Sequence, residues 1–223
     1  MHNMKNITCS NSLRELVESN LTKFKRKPLN NRGLRRAAVA ITIVDYRNSG
    51  NIGGLLPETD EGAALILTRR SARLKNHAGQ WALPGGSIDT GESEEETALR
   101  ELAEEVGLHL KKDRILGCLD DFITRSGFHI TPVILWGGQT PYLHANPEEV
   151  ASIHRISCRE LLRKDAPVLD NSPESEDPIL FMPVGNSWIA TPTAAILYQF
   201  REVALLGKQT RVAHFEQPYF AWR

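Results

Sequence analysis

The part of the sequence that most constrains the fold lies at residues 86–108 and reads GSIDTGESEEETALRELAEEVGL. Ser93 and Glu96 have the spacing of a capping box, in which each side chain accepts a hydrogen bond from a free N–H group at the start of a helix. Gly107 is a residue type that commonly ends a helix in the left-handed conformation. These signals predict one helix that starts at Ser93 and stops at Gly107.

The predicted helix carries two kinds of side chain. Its apolar residues recur at the spacing of a face that packs on a core, and they are Leu99, Leu102, Ala103 and Val106. Three carboxylates, Glu101, Glu104 and Glu105, are expected on another face, where residues three or four apart lie close together. Arg100 can reach Glu96 or Glu104, but one guanidinium leaves most of the negative charge uncompensated. A divalent cation such as Mg²⁺ would offset it, whereas the alternative is a solvated acidic face.

The rest of the chain predicts a mixed, mostly antiparallel sheet between helices. Runs of β-branched and apolar residues predict strands at residues 37–46, 63–69, 117–122, 129–138 and 150–157. Apolar residues at helical spacing predict helices at 12–24 and 193–206, with a short helix at 158–163. The polar segments 48–62 and 165–177 are expected to be loops. We expect one domain at residues 34–207, preceded by a helix and linker at 1–33 and followed by a tail at 208–223 that packs on it.

Composition disfavours several classes of protein. The 223 residues carry a formal net charge of zero, so the positive surface of a nucleic-acid-binding protein is not expected. The three cysteines, Cys9, Cys118 and Cys158, form no CxxC pair, which disfavours a disulfide framework or a zinc site. No apolar run has the length needed to cross a bilayer, so no membrane partner is expected. A cytoplasmic location is the expectation.

The order of residues within 86–108 resembles the Nudix box. That pattern is Gly, five residues, Glu, seven residues, Arg-Glu, an aliphatic residue, any residue, Glu-Glu, any residue, Gly and an aliphatic residue. Its defined places are filled by Gly86, Glu92, Arg100, Glu101, Leu102, Glu104, Glu105, Gly107 and Leu108. The resemblance implies an α/β fold, the Nudix-type α/β/α sandwich around a mixed, mostly antiparallel sheet. It also implies a bound Mg²⁺ or Mn²⁺.

The resemblance further implies roles for individual residues. Glu104 and Glu105 are expected to be the principal metal ligands, and Glu101 a further ligand or the general base. The Gly85 carbonyl is expected to add an oxygen ligand. Arg100 is expected to hold the glutamates in register, which is mainly a structural role.

The implied reaction is attack of water on one phosphorus of a diphosphate in a small nucleotide substrate. A carboxylate must take the proton of that water, and Glu101, Glu148 and Glu149 are the candidates. Glu148 and Glu149 directly precede the predicted strand at 150–157, where an ordinary exposed turn is the alternative interpretation.

A basic segment precedes the box at residues 66–86 and reads ILTRRSARLKNHAGQWALPGG. The candidates for holding the outer phosphates of the substrate are Arg69, Arg70, Ser71, Arg73 and His77. A solvated basic loop is the alternative. The segment resembles the motif of the coenzyme A diphosphatase branch of Nudix enzymes, and the matching residues are Thr68, Arg70, Ser71, Gly79, Pro84, Gly85 and Gly86. It departs from that motif at Ile66, Lys75 and Leu83.

In that branch the reaction divides coenzyme A, or a thioester of it, into 3′,5′-ADP and a 4′-phosphopantetheine product. The resemblance implies this activity. The first alternative is a Nudix enzyme that acts on ADP-ribose, a dinucleotide or a nucleoside triphosphate. The second is a non-catalytic nucleotide-sensing module, which is disfavoured because the box retains every defined residue. A homodimer is compatible with the N-terminal helix and the C-terminal tail.

Overall fold

A sheet of eight strands is the centre of the fold within the residues that the computed structural model describes, which are 7–29, 33–47, 52–55, 58–73, 78–139, 142–172 and 175–221. The strands are β1 (Arg35–Asp45), β2 (Ala63–Arg70), β3 (Trp81–Ala82), β4 (Gly85–Ser87), β5 (Ile115–Cys118), β6 (Phe122–Ile123), β7 (Phe128–Gly138) and β8 (Val150–Ser157). Strand β1 lies parallel to β7 and antiparallel to β2 and β4. Strand β8 extends the sheet beyond β2. The prediction of a mixed, mostly antiparallel sheet is confirmed.

Helices cover both faces of this sheet. They are α1 (Asn11–Lys23), α2 (Glu94–Val106), α3 (Cys158–Leu161) and α4 (Thr193–Phe200). On one face, α2 packs on a buried cluster that includes Ile66 and Leu135. On the other, α1 and α4 pack on a cluster that includes Ile41 and Leu65. Because neighbouring residues of a strand point to opposite faces, one strand supplies both layers, and the α/β/α sandwich is confirmed.

The predicted strand at 117–122 is wrong in its extent. The chain forms β5 and β6 there, and residues 119–121 between them leave the strand geometry. Asp120 and Asp121 are buried at this break, at 7% and 3% exposure. Buried carboxylates require hydrogen-bond donors, and the backbone N–H groups of the neighbouring strands are already used in pairing within the sheet. The break is therefore the place where polar groups from outside the sheet enter.

Those polar groups come from the segment before β1 and from the segment after α4. Asp121 accepts hydrogen bonds from Arg26 Nη2 at 2.7 Å and from the Leu29 backbone at 2.8 Å. Asp120 accepts one from Arg211 Nη1 at 2.7 Å. Burial raises the pKa of Asp121, but the bonds from His129 and Arg26 outweigh burial and leave it below its usual value. Two carboxylates thus bind the segments before β1 and after α4 to the sheet.

A second sheet of three strands forms in the described residues beyond α3. Its strands are β9 (Val168–Asp170), β10 (Ile179–Val184) and β11 (Ser187–Ala190). The prediction of a loop at 165–177 is wrong for β9, and the sequence pattern does not predict β10 or β11. The local sequence of these strands does not alternate cleanly between apolar and polar residues, since Leu169 of β9 is 54% exposed and Pro183 lies within β10. Pairing with neighbouring strands therefore decides the structure here.

The predicted helix at 193–206 forms with a change of geometry. Helix α4 continues into a π-helical turn at Arg201–Leu205. The residues available for burial are all buried, and they are Ala194, Ile196, Leu197, Phe200, Val203 and Leu205. A π turn widens the helix by one residue per hydrogen-bonded ring, so the local apolar spacing alone does not reveal it.

Helix α1 buries its apolar face within the same chain. Leu13, Val17 and Leu21 belong to the core cluster beneath the sheet, and Leu16 is 39% exposed. The homodimer stays a prediction, and no unpartnered face of α1 supports it. The division of the chain at residues 33 and 207 also stays a prediction. Among the described residues, no helix combines the length and the hydropathy that a membrane crossing requires.

Candidate active site

Helix α2 begins and ends where its sequence predicts. The Ser93 side chain accepts a hydrogen bond from the Glu96 backbone, and the Glu96 carboxylate accepts one from the Ser93 backbone at 3.0 Å. Gly107 ends the helix in the left-handed region, with φ of 70°. Glu96 also pairs with Lys112 at 2.7 Å, so the contact that the sequence allows between Glu96 and Arg100 is not made.

The predicted faces of α2 are partly wrong. Ala98, Leu102 and Val106 form the buried apolar stripe, whereas Leu99 and Ala103 are only half-buried. The carboxylates do not share one exposed face. Glu101 and Glu105 are 9% and 5% exposed and point towards the sheet, while the Glu104 side chain is 56% exposed. Glu101 and Glu105 are four residues apart and therefore lie nearly above one another on the helix. Glu104 precedes Glu105 by one residue, which turns its side chain by about 100° around the helix axis.

Two glycines of β4 allow the buried carboxylates to approach the sheet. A Cβ atom at Gly86 would overlap the Glu101 carboxylate, and one at Gly85 would overlap the backbone of Ala38. The Gly85 backbone also lies close enough to Glu105 to lower the pKa of that carboxyl. Gly86 therefore sets the distance between α2 and β4, and Gly85 sets the distance between β4 and β1, because a larger residue at either place would meet its neighbour.

Glu149 joins these two glutamates from a distant part of the chain. Glu101, Glu105 and Glu149 each offer a carboxylate oxygen, and these oxygens lie within 4.8 Å of one another. The turn that carries Glu149 is fixed by two backbone hydrogen bonds: the Asn146 N–H donates to the Glu105 carbonyl at 2.9 Å, and the Ser71 N–H donates to the Glu149 carbonyl at 2.8 Å. The exposed turn expected there is present, and its glutamate faces the other two.

The electrostatics of this cluster are unfavourable without a cation. Burial, followed by repulsion from Glu101 and Glu149, raises the pKa of Glu105 to about 8, and Arg70 only partly opposes this. Burial also raises the pKa of Glu101, in spite of its bond from Arg100. Three carboxylates at this spacing form an oxygen donor set of the kind that Mg²⁺ and Mn²⁺ prefer. The residues present thus fit a hard divalent cation.

Arg100 connects the loop before α2 to the helix. Its guanidinium donates to Glu92 Oε1 at 3.0 Å, to Glu101 Oε1 at 2.8 Å, to Glu104 Oε2 at 3.1 Å and to the Ser87 carbonyl at 3.2 Å. The bond from Arg100 is the main reason that the pKa of Glu92 falls to about 2. These contacts fix the rotamers of the glutamates, and they support the structural role expected for Arg100.

The basic segment before the box contributes one arginine to the cluster. Arg70 lies near enough to Glu105 to lower the pKa of that carboxyl, and its buried Nε atom has no hydrogen-bond partner among the described residues. Arg69 is bound by the protein, since its guanidinium stacks on Trp81 at 3.9 Å and donates to the Gly79 carbonyl at 3.0 Å. Of these two candidates, Arg70 is the one that lies near the carboxylate cluster.

The other candidate phosphate ligands lie in different surroundings. Ser71 is 5% exposed, and its hydroxyl donates to the Pro147 carbonyl at 3.3 Å, next to the turn of Glu149. Arg73 is exposed and pairs with Glu148 at 3.0 Å, away from the three-carboxylate cluster. His77 lies outside the described residues. Their roles in substrate binding stay predictions.

A cavity of about 290 Å³ opens beside the carboxylate cluster. Its lining includes Gly85 and Gly86, Arg70, Thr124 and Ser126 of the β6–β7 connection, and Phe128 at the start of β7. Sequence reasoning missed this connection as part of the site. Ser126 and Gly127 mark a turn in the sequence, but only the parallel pairing of β7 with β1 brings that turn next to β4.

Comparison with known proteins agrees with this geometry. Residues 51–175, more than half of the chain, match the family model described as NUDIX domain. The chain is 47% identical over 98 residues to the uncharacterized Nudix hydrolase NudL of Pectobacterium atrosepticum, covering 43% of this chain and 50% of that protein. It is 36% identical over 130 residues to the protein of the same name from Citrobacter koseri, covering 58% and 60%.

The matching segment thus spans about half to three fifths of those relatives. Among solved structures, a MutT/nudix family protein from Enterococcus faecalis superposes with a TM-score of 0.52 at 16% identity, covering 80% of this chain and 65% of that one. That likeness concerns the fold alone. The family model covers the helix, the basic segment and the Glu149 turn that make the site, and the chain belongs to the NUDIX domain family.

Proposed function

We propose that this chain is a metal-dependent pyrophosphohydrolase that cleaves the diphosphate of a nucleotide-containing substrate. The observation that carries the proposal is the cluster of Glu101, Glu105 and Glu149 next to a cavity that Arg70 lines. A negative cluster next to a cationic donor suits a cation and a phosphate together.

The metal would be Mg²⁺ or Mn²⁺, held by Glu101 and Glu105 with the exposed Glu104 and the Gly85 carbonyl as further ligands. When bound, such an ion neutralises the non-bridging oxygens of a diphosphate and the charge of the leaving phosphate. Arg100 keeps Glu101 and Glu104 in their rotamers, and it donates to both in this structure. Arg70 lines the cavity, and its guanidinium would hold a phosphate oxygen.

Glu149 is the member of the cluster that suits the general base. It is exposed, whereas Glu101 is buried and accepts a bond from Arg100. Glu148 lies on solvent, with its side chain 74% exposed and paired to Arg73. In the step proposed, a water oxygen bonds to one phosphorus, its proton passes to the Glu149 carboxylate, and the bond from that phosphorus to the bridging oxygen breaks. No covalent bond to the protein forms.

Coenzyme A and its thioesters are the substrates that we propose. The support is the match of Thr68, Arg70, Ser71 and residues 84–86 to the motif of the coenzyme A diphosphatase branch. The cavity is lined largely by apolar side chains, among them Val39, Leu83 and Ile130, which suits an extended arm with few charges. ADP-ribose, dinucleotides and nucleoside triphosphates are the substrates of the competing hypothesis.

Turnover and product analysis test this proposal. The chain is incubated with Mg²⁺ and each of coenzyme A, ADP-ribose, a dinucleotide and a nucleoside triphosphate, and the products are identified by mass spectrometry. We expect 3′,5′-ADP and 4′-phosphopantetheine, with the highest kcat/KM for coenzyme A. A higher kcat/KM for ADP-ribose than for coenzyme A would favour the competing hypothesis. Absence of metal-dependent products from every compound would favour the nucleotide-sensing module.

A matched pair of variants tests the base. Glu149→Gln is expected to lower kcat by about 100-fold or more, which is the usual effect of losing a general base. Its sequence neighbour Glu148→Gln is expected to keep kcat within about twofold, because that side chain lies in solvent. The reverse order of effects would show that Glu148 takes the proton.

We also propose a cytoplasmic location and a catalytic domain at residues 34–207 with residues 208–223 packed on it. The three cysteines are free, and burial raises the pKa of Cys118 to about 11 and that of Cys9 to about 12. Protonated, buried thiols suit a reducing compartment. Limited proteolysis with mass spectrometry would show whether cleavage concentrates at the proposed boundaries.

A further inference from the structure

A second groove adjoins the cavity and continues away from the carboxylate cluster. Its volume is about 230 Å³. It shares Gln80, Trp81, Pro192 and Thr193 with the cavity, so the two compartments lie side by side, and together they are called the cleft. A long ligand whose diphosphate lies at the cluster would have this groove as the adjoining space beyond the cavity.

The outer wall of the groove comes from parts of the chain beyond the family match. Trp188 of β11 and Phe220 of the short helix Tyr219–Ala221 line it, and both lie after residue 175, where that match ends. Their side chains are 55% and 54% exposed. Large aromatic surfaces left open to water beside a site commonly mark a place where an apolar group binds.

Three polar groups of the groove are already bonded to the protein. Trp81 Nε1 donates to Ser187 Oγ at 3.2 Å, and Arg69 Nη2 donates to the same oxygen at 3.1 Å. Gln80 Nε2 donates to the Phe220 carbonyl at 3.0 Å. A nucleobase needs partners along its polar edge, and these groups are engaged elsewhere. The exposed rings of Trp188 and Phe220 are the large apolar surfaces that remain for a ligand.

The tail after α4 holds this wall in place. Gln217 Oε1 accepts a hydrogen bond from the Arg125 backbone at 3.3 Å, and Glu216 forms an ion pair with the Arg125 side chain. The tail then reaches Gln80 through the Phe220 carbonyl. One short segment thus touches the connection that lines the cavity and the loop that lines the groove, so the groove is a fixed part of the cleft.

We propose that this groove binds the hydrocarbon chain of a fatty acyl thioester whose diphosphate lies at the carboxylate cluster. The inference rests on the proposed function, and it makes Trp188 and Phe220 the residues that select acylated over unacylated substrate. Each methylene removed from water is worth about fourfold in affinity, so a chain of medium length gains strongly from such a groove.

The kinetic test compares octanoyl-coenzyme A with coenzyme A. We expect the unaltered chain to favour the octanoyl compound at least tenfold in kcat/KM. Trp188→Ala and Phe220→Ala are expected to lower kcat/KM for the octanoyl compound at least tenfold more than for coenzyme A. Tyr142→Ala is the matched control, because Tyr142 is 76% exposed and lines neither compartment, and it should leave the preference unchanged. Equal losses on both compounds would overturn the proposal.

A binding experiment separates failure of this inference from failure of the proposed function. Calorimetric titration with S-octanoyl-pantetheine, which has no diphosphate, requires no turnover. We expect binding that Trp188→Ala weakens at least tenfold and Tyr142→Ala does not. Should Trp188→Ala lower the melting temperature strongly, Ala190→Phe replaces it, since it fills the groove instead of emptying it. If a folded Trp188→Ala or Ala190→Phe variant binds S-octanoyl-pantetheine as tightly as the unaltered chain, the proposed role of the groove is wrong, even if coenzyme A is hydrolysed.

Discussion

Glu105→Gln should make the metal-free protein more stable while removing its activity. The carboxyl of Glu105 is 5% exposed, and burial with repulsion from Glu101 and Glu149 raises its pKa from 4.5 to about 8. Glutamine has nearly the same shape as glutamate and keeps one side-chain oxygen as a hydrogen-bond acceptor. The substitution therefore removes a buried charge without opening a cavity.

The size and sign of the effect follow from proton linkage. At pH 7 the unfolded chain ionises Glu105, but the folded chain holds its proton, which costs about 3 kcal/mol at about 1.4 kcal/mol per pH unit. The glutamine amide is buried with one group unpaired, and this lowers the free energy of unfolding by about 1 kcal/mol. The net gain is about 2 kcal/mol, or about 4–8 °C in melting temperature for a chain of this size. The raised pKa means that this cost is absent below pH 4.5 and complete above pH 8.

Urea unfolding in EDTA at pH 5, 7 and 8.5 measures the difference between the two proteins. Glu104→Gln is the control on the same helix, and it should change the free energy of unfolding by less than about 0.5 kcal/mol, because its side chain is 56% exposed. Millimolar Mg²⁺ should stabilise the unaltered protein more than Glu105→Gln. The reasoning is refuted if Glu105→Gln is no more stable at pH 8.5, or if the difference is the same at every pH.

Three further substitutions give distinct outcomes. Gly86→Ala should reduce kcat by about 100-fold and leave the circular dichroism spectrum unchanged, because the added Cβ overlaps the Glu101 carboxylate; full activity would contradict the role of that glycine. Asp121→Asn should lower the free energy of unfolding by about 3 kcal/mol at pH 7, since it breaks a buried pair with Arg26. The Asp121 pKa is depressed, so that loss should shrink in urea titrations only below pH 4. Arg70→Lys should raise KM about tenfold and leave Mg²⁺ affinity, measured by calorimetry, within about twofold; an unchanged KM would remove Arg70 from the substrate site.

The sequence predicts the features of the site that depend on local spacing. Ser93, Glu96 and Gly107 fix the ends of α2 through contacts within one turn, so the helix could be placed without knowing its neighbours. Burial of Glu101 and Glu105 could not be predicted in the same way. It depends on β4 crossing beneath the helix with two glycines, and the pairing of β4 with β1 is a long-range contact.

Non-local pairing also explains the other differences. Glu149 reaches the cluster because its turn is bonded to the end of α2, and nothing in residues 146–149 alone reveals that contact. Trp188 and Phe220 form one wall only after β11 and the tail have folded against the loop at Gln80. Local patterns specify where an element begins, whereas the partner strands decide which side chains it turns inward.

The position of β1 determines which fragment of this chain can fold. Strand β1 lies between β2 and β7 in the sheet, and its residues Arg35–Asp45 precede residue 51, where the family match begins. An excised fragment of residues 51–175 would lack its middle strand and would present two open edges, on β2 and β7, to other molecules. Expression of that fragment should yield aggregated material, so the unit of similarity is smaller than the unit of folding.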